Sequence, residues 1–324
     1  MPLLTLDTSR PFTVREAARR GLSPHRLRRM VRTGEVRVVL HGVYVASHVV
    51  DSLDLRARAA ALVLPPRTVV ADRSAAWLHG VDVLTAGELD AVPRLEVVTY
   101  GGGDRSRSTT LYAGERDLLE DEVMLVDGVP ATTPLRTACD IACLRGRWRA
   151  IGALDAFRRT HAISEHQLRA MLPRYAGRRG VVQLRELVGL STAEAHSQPE
   201  SWIRLALHDH GLPMPRPQVR VPLPGGGFKL VENAWPRLRL AAEYDGEEFH
   251  SEDDDREHDA VRRNLLTDEL DWMIFVLRRE ALKPERHDVW LRDISDAFHL
   301  RAGTPHRRVY ARDPSSYLWR PRRR

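Results

Sequence analysis

Residues 229–250, KLVENAWPRLRLAAEYDGEEFH, decide the fold of the last third of the chain. Their apolar side chains fall into two short runs, which predicts two strands separated by a turn at Trp235 and Pro236. Proline cannot donate a hydrogen bond to a strand ladder, so Pro236 belongs in the turn. Gly246 then ends the second strand. The stretch therefore predicts a β-hairpin around which a C-terminal domain is built.

Acidic side chains occur on both predicted strands. Glu243 and Asp245 are two residues apart and are expected on one face of the second strand. Glu232 lies near the end of the first strand and can meet them across the hairpin, and His250 follows the strand-ending glycine. Three carboxylates suit a hard divalent cation such as Mg²⁺ or Mn²⁺, next to which a histidine can act as a base. We therefore predict a cation site at Glu232, Glu243 and Asp245; the alternative is an ordinary solvated acidic face.

The same residues resemble the family catalogued as domain of unknown function 559. The resemblance rests on the pattern AWP…AAEYDG..FH, extends over about residues 191–300 and includes the segment SQPESWIRLAL. That family is similar to the very-short-patch-repair endonucleases and to the PD-(D/E)XK nuclease superfamily. The resemblance implies an α/β/α domain of the restriction-endonuclease type. It also implies catalytic roles for five residues, namely Glu200, Glu232, Glu243, Asp245 and His250.

Two positions depart from the superfamily pattern. Glu232 stands where the first strand of the superfamily carries an aspartate, and Asp245 occupies the position of its lysine. Two interpretations therefore stay open. The domain is either an active Mg²⁺-dependent endonuclease or a nuclease fold that persists as a non-catalytic scaffold.

Residues 12–46 predict a winged helix-turn-helix. The segment FTVREAARRG forms a first helix that ends at Gly21, and Ser23 followed by Pro24 is a favourable start for the second helix. Gly34 ends the second helix, and VRVVLHGVYVA supplies the two strands of a wing. The polar face of the second helix carries the residues predicted to contact double-stranded DNA, namely His25, Arg28, Arg29 and Arg32. The alternative is a helical hairpin that serves only as a docking module.

The segment FTVREAARRGLSPHRLRRMVRTGEVRVVLHGVYV resembles the N-terminal domain of AbiEi-type antitoxins from type IV toxin–antitoxin systems. In that family the winged helix binds operator DNA and represses its own operon. The resemblance implies double-stranded DNA as one partner and a cognate toxin as another.

Composition places the chain among globular proteins. Of its 324 residues 43% are hydrophobic and 29% are charged, and the formal net charge is +6. No apolar run approaches the roughly 18 residues of a membrane span, and the start of the chain lacks a signal-peptide pattern, so a cytoplasmic protein without a membrane partner is expected. Cys139 and Cys143 are expected to be reduced thiols. Eight arginines and one aspartate fall within residues 301–324, a tail that is expected to add sequence-independent DNA affinity.

The predicted fold class is α/β (α+β), with helical and strand-like pieces alternating between the winged helix and the hairpin. The predicted segments are a winged helix-turn-helix at residues 1–50, a mixed α/β connecting domain at 51–190, an endonuclease-like domain at 191–300 and an Arg-rich tail at 301–324. The predicted function is DNA binding with Mg²⁺-dependent hydrolysis of phosphodiesters, in which His250 activates a water and Glu200 orients it. The alternatives are a non-catalytic, AbiEi-like antitoxin and transcriptional repressor, and a protein-interaction module that binds no DNA.

Overall fold

A computed structural model of the chain describes residues 6–83, 93–102, 111–144, 146–224, 226–246 and 265–303. The chain divides into two compact units, residues 1–141 and 142–324. The described residues form helices and three sheets, which confirms the predicted α/β class. The division between the units falls inside the predicted connecting domain, and the boundaries at residues 50 and 190 stay predictions. Within the described ranges no helix is long and apolar enough to cross a membrane.

The first unit begins with the winged helix. Its elements are β1 (Phe12–Thr13), α1 (Val14–Arg19), α2 (Pro24–Thr33), β2 (Val36–Leu40) and β3 (Val43–Ala46), with the strand order β1-β3-β2. Both predicted ends of α2 form as expected. The hydroxyl of Ser23 accepts a hydrogen bond from the amide of Arg26 at 3.3 Å, and Gly34 closes the helix with a φ of 78°. The predicted helices and wing strands are therefore confirmed.

A small apolar core holds the winged helix together. Phe12, Ala17, Leu27 and Val36 are buried in it, and the ring of Phe12 stacks on that of Tyr44 with 6.0 Å between the centroids. Burial of a large apolar side chain stabilises the fold by roughly 1.5–3 kcal/mol. The core therefore fixes α2 through its apolar side, and the polar side of the helix faces solvent.

A mixed sheet with flanking helices makes up the rest of the first unit. Its elements are α3 (Leu53–Ala61), β4 (Thr68–Val70), α4 (Asp72–Leu78), β5 (Leu95–Thr99), β6 (Leu111–Glu115), β7 (Val123–Val126), β8 (Val129–Thr132) and α5 (Pro134–Leu144), with the strand order β6-β5-β4-β8-β7. The last three residues of α5, from residue 142 onward, already belong to the second unit. Buried ion pairs join these elements. Arg136 contacts Glu122 at 2.6 Å and Asp140 at 2.9 Å, and Arg116 bridges Asp140 and Asp72. Removing one partner would leave a buried charge uncompensated, so this network is structural.

The second unit packs helices against another sheet. Its helices before the sheet are α6 (Arg147–His161), α7 (Glu165–Met171), α8 (Val181–Leu190) and α9 (Gln198–Asp209). They are followed by β9 (Arg216–Pro222), β10 (Phe228–Trp235), β11 (Leu240–Tyr244), helical residues 265–270, β12 (Met273–Leu277) and α10 (His287–Ala302). The strand order is β12-β11-β10-β9, with β11 antiparallel to β10 and parallel to β12. The predicted hairpin is confirmed, and its turn is the short 3₁₀ segment Pro236–Leu238.

Strand β9 lies at one edge of this sheet. It pairs with β10 and contains Pro217 and Pro222, which have no amide hydrogen to donate. Between them Gln218 adopts a left-handed backbone with a φ of 48°. Prolines are tolerated in sheets mainly at such edges, because the missing donor is not needed there.

Ion pairs hold α6, α8 and α9 together. Arg147 at the start of α6 contacts Glu186 of α8 and Asp209 of α9, each at 2.8 Å. Farther along α6 and α9, Asp155 of α6 contacts Arg204 of α9 at 2.6 Å. These contacts fix α9 before the chain enters the sheet.

Gly180, which precedes α8, occupies a position where a side chain should not be tolerated. It has a φ of 87°, and a Cβ atom there would overlap the carbonyl oxygen of Cys143. Gly177 has a φ of 71° but no atom within 4 Å of its Cβ position. Both alanine variants acquire left-handed strain, but only Gly180→Ala meets the main chain. We expect it to lower the free energy of unfolding by at least about 2 kcal/mol more than Gly177→Ala.

Urea unfolding followed by circular dichroism measures both changes. Equal losses in the two variants would contradict the close approach of Gly180 to Cys143.

Candidate functional site

Helix α2 exposes a basic stripe. His25, Arg29 and Arg32 are exposed, and their spacing places them along one side of the helix. The helix pair carries further exposed arginines that the sequence pattern did not single out, namely Arg15, Arg19, Arg20 and Arg26. Guanidinium groups can grip phosphates or pair with guanine through two hydrogen bonds. The predicted DNA-contacting residues on this stripe are therefore accessible.

Arg28 is placed differently from the stripe. Its Nε donates to the carbonyl oxygen of Pro24 at 3.3 Å. Its side chain lines a groove of about 310 Å³ whose other lining residues are Val14, Pro24, Leu27, Val31, Val38 and Tyr44. Arg28 therefore lies at the border between the basic stripe and a mostly apolar groove beside the wing.

The hairpin of the second unit brings part of the predicted acidic set together. The ladder between β10 and β11 includes the pair of Asn233 and Ala242, and the next positions in this register are Glu232 and Glu243. There the main-chain pairing stops, and Oε2 of Glu232 accepts a hydrogen bond from the amide of Tyr244 at 2.6 Å. A carboxyl group thus takes the place of a main-chain acceptor. This contact fixes the Glu232 side chain where the two strands separate.

A lysine belongs to the same cluster. Nζ of Lys229 lies 3.4 Å from Oε2 of Glu243, and each of the two side chains is only 6% exposed. Lys229 is one of two lysines in the chain, which is the only signal in the sequence that could have drawn attention to it. The pairing itself joins two strands, so it depends on the register and not on spacing within one strand.

Glu200 joins the cluster from α9 and is 4% exposed. Its Oε2 accepts hydrogen bonds from the amide of His196 at 3.1 Å and from Nε2 of Gln218 at 2.7 Å. Its carbonyl oxygen accepts one from Nδ2 of Asn233 at 3.2 Å. Helix α9 is therefore bonded to both β9 and β10 at this residue.

Burial raises the pKa of Glu232 to about 9. The negative charge of Glu200, and to a smaller extent that of Glu243, acts in the same direction. The Tyr244 amide and the Lys229 ammonium act in the opposite direction and do not outweigh it. Glu232 is therefore protonated at neutral pH, and the cluster carries less negative charge than its carboxyl groups suggest.

The next predicted site residue, Asp245, contacts Leu277 and Arg278. Asp245 lies one residue beyond the end of β11. Its amide donates to the carbonyl oxygen of Leu277 at 2.8 Å, and its carboxylate lies 3.8 Å from Nε of Arg278. His250 lies outside the described residues.

The predicted cation site at Glu232, Glu243 and Asp245 is not tested by these positions and stays a prediction. In the part of the chain that the structure describes, no group of three or more His, Cys, Asp or Glu side chains is arranged to hold a metal ion. The prediction joined Glu232, Glu243 and Asp245 because alternation along a strand would place the last two on one face. Strand β11 ends at Tyr244, and the amide of Asp245 still bonds to β12 at Leu277.

Comparisons with known proteins identify the family. Residues 1–47 match the family described as transcriptional regulator, AbiEi antitoxin, and residues 68–190 match the AbiEi antitoxin C-terminal domain. Together the two ranges span just over half of the chain. The chain belongs to the AbiEi antitoxin family. The resemblance predicted from the N-terminal segment is confirmed.

Relatives of this AbiEi-family chain occur in Mycobacterium tuberculosis. Two proteins, from two strains and both described as uncharacterized, are 33% identical to it over 247 residues. The aligned part is 75% of this chain and 86% of each relative. The antitoxin matches themselves end at residue 190, before the acidic cluster. They give no support to the predicted endonuclease-like domain at residues 191–300.

The raised pKa of Glu232 makes stability depend on pH. Between its ordinary value of 4.5 and its folded value of about 9 the folded state holds a proton that the unfolded chain releases. The free energy of unfolding should therefore fall as pH rises through this window. Glu232→Gln keeps an acceptor for the Tyr244 amide but cannot titrate. The variant should gain stability over the parent as pH rises, by at most about 1.4 kcal/mol per pH unit.

Urea unfolding across this pH window tests the expectation. Glu280→Gln, at an exposed position of the same unit, is the matched control and should follow the parent. Parallel pH profiles for Glu232→Gln and the parent would show that Glu232 is ionised in the fold.

Proposed function

We propose that this AbiEi-family protein binds double-stranded DNA through its winged helix and acts as a transcriptional regulator of the antitoxin type. The observation that carries the proposal is the exposed basic stripe of α2, in a segment that matches a transcriptional-regulator family. Helix α2 is capped at both ends and fixed by its apolar core, so it is presented as a rigid element. Such a helix fits a major groove, where its arginines reach base edges and phosphates. Because the family is one of antitoxins, a cognate toxin is proposed as the second partner.

A second candidate function is hydrolysis of DNA phosphodiesters with Mg²⁺ or Mn²⁺. The cluster of Glu200, Glu232, Glu243 and Lys229 favours it, because buried carboxyl groups that repel one another are relieved by a divalent cation. Glu232 and Glu243 are the carboxyl groups that would face the cation. The described residues do not by themselves complete a ligand set. The same cluster also serves as a scaffold in the non-catalytic alternative, in which Lys229 and the proton on Glu232 offset two of its three negative charges.

DNA binding by α2 is tested with Arg29→Ala combined with Arg32→Ala. Each phosphate contact that is lost removes about 0.9 from the slope of log affinity against log salt concentration, so the slope should flatten by roughly 2. Affinity should also fall. Fluorescence anisotropy with a duplex from upstream of the protein's own gene measures both quantities.

The matched control combines Arg169→Ala with Arg185→Ala, at two exposed positions of the second unit. It should bind like the parent. If the α2 variant also binds with parental affinity and slope, the winged helix is not the DNA-binding element.

For the hydrolytic function we expect millimolar Mn²⁺ to raise the melting temperature of the parent, because a ligand of the folded state stabilises it. Glu243→Gln should abolish the rise, and Asp245→Asn should retain it, since Asp245 lies outside the cluster. Conversion of supercoiled plasmid to nicked circles or linear DNA is the second readout. If the parent shows neither a thermal shift nor plasmid cleavage, the hydrolytic function is ruled out and the regulator remains as the proposed function.

A further inference from the structure

The first unit has a second basic feature, which lies beside the wing strand β2 and contains none of the residues predicted to contact DNA. It is a cavity of about 360 Å³ between β2, α3 and the start of β5. Three arginines from separate segments line it, namely Arg37, Arg56 and Arg94. The other lining residues are Val38, Val39, Leu40, Asp51 and Leu95.

Each guanidinium is held in place by a contact of its own. Nη2 of Arg37 donates to the carbonyl oxygen of Val49 at 3.0 Å. Arg56 forms a two-point contact with Asp51, at 3.1 and 2.7 Å, and Nη1 of Arg56 donates to the carbonyl oxygen of Pro93 at 2.9 Å. The arginines are thus oriented before any ligand arrives, which reduces the entropy that a ligand must overcome.

Arg94 approaches the cavity from the start of β5. Its guanidinium lies 5.5 Å from the centroid of the Tyr112 ring, within the range of a cation–π contact. The side chain is exposed, so it stays open to a ligand from solvent.

The charge in the cavity is out of balance. Asp51 is the only carboxylate among the described lining residues, and it faces three guanidinium groups. The hydrogen bonds from Arg56, followed by the charges of Arg56 and Arg37, hold the pKa of Asp51 below its usual value, so Asp51 stays ionised. Within the described part of the chain neither Arg37 nor Arg94 forms an ion pair. Among the described lining residues this leaves an excess of two positive charges.

We propose that Arg37, Arg56 and Arg94 form a binding site for a phosphate group. Guanidinium is planar and offers paired donors that match phosphate oxygens, and a positive cavity with apolar walls attracts an anion more strongly than an open surface does. A phosphate monoester supplies up to two negative charges and a diester supplies one, so either ligand offsets part or all of the excess.

The backbone of bound DNA is the source of phosphate that the location favours. Val38 of β2 lines both this cavity and the groove that contains Arg28 of α2. The site is therefore adjacent to the proposed DNA-binding face. A duplex bound to α2 would also contact Arg94, at the start of β5 in the mixed sheet of the first unit. This source rests on the proposed DNA-binding function, whereas the phosphate site itself does not.

Inorganic phosphate tests the site without DNA. At constant ionic strength, replacing chloride by millimolar phosphate should raise the melting temperature of the parent by a few degrees. Arg37→Gln combined with Arg94→Gln should abolish this shift. Arg58→Gln is the matched control, because Arg58 is an exposed arginine of α3 that pairs with Asp54 and lies outside the cavity. If the double variant does not fold, Arg94→Gln alone tests the site, since its side chain is exposed.

Duplex DNA distinguishes the two sources of phosphate. If the ligand is the DNA backbone, the double variant should flatten the salt slope by roughly 1, the contribution of one phosphate, equally for every duplex sequence, and Arg58→Gln should not. A phosphate shift with an unchanged slope would support the site with a free phosphate compound as its ligand. A flattened slope without any phosphate shift would overturn the site and leave only diffuse attraction. If only the α2 variant binds DNA with parental affinity and slope, the winged-helix proposal is wrong, but the phosphate site is not affected.

Discussion

The acidic cluster depends on a buried ion pair between α6 and α9. Asp155 and Arg204 are separated by 2.6 Å, and their side chains are 1% and 3% exposed. Burial raises the pKa of Asp155, and Arg204 opposes that shift. Asp155 also accepts from the amide of Thr192, and Arg204 donates to the carbonyl oxygen of Leu190, so the pair ties both helices to the segment after α8. Breaking such a pair typically costs about 3–5 kcal/mol. The position of α9, and with it that of Glu200, follows from this contact.

The charges in the acidic cluster are compatible with two activities. The family match favours a transcriptional regulator, whereas the buried carboxyl groups favour a cation-dependent hydrolase. Glu200, Glu232 and Glu243 supply three carboxyl groups, and Lys229 supplies one ammonium. With Glu232 protonated, Glu200 and Glu243 supply two negative charges against the one positive charge of Lys229, so the cluster keeps a net charge of −1 without a cation. A regulator requires nothing more of this domain. A hydrolase requires a cation that displaces the proton of Glu232 and competes with the ammonium group of Lys229. Both activities would act on DNA bound by the winged helix.

Local chemistry made much of the fold predictable, and long-range packing limited the rest. Ser23 and Gly34 delimit α2 because capping acts within one turn, and Pro236 marks the hairpin turn because proline cannot continue a ladder. The alternation rule reaches its limit at Asp245, which lies one residue beyond the end of β11, so its place beside Glu243 stays a prediction. The lysine of the cluster and the three-arginine cavity were not predictable in this way. Both join segments that are distant along the chain, and periodicity carries no information about such register and packing.

The prolines of β9 also affect whether copies of the protein can associate through this edge of the sheet. An open sheet edge with a full row of amide donors can template a strand from a second chain and so begin aggregation. Pro217 and Pro222 are residues of this edge strand that have no amide hydrogen to donate, and the left-handed residue Gln218 interrupts its regular course. Arg216 and Arg220, which are exposed on the same strand, add like charges that repel a second copy. The sheet that carries the acidic cluster can therefore stay open at one side without recruiting strands from neighbouring molecules.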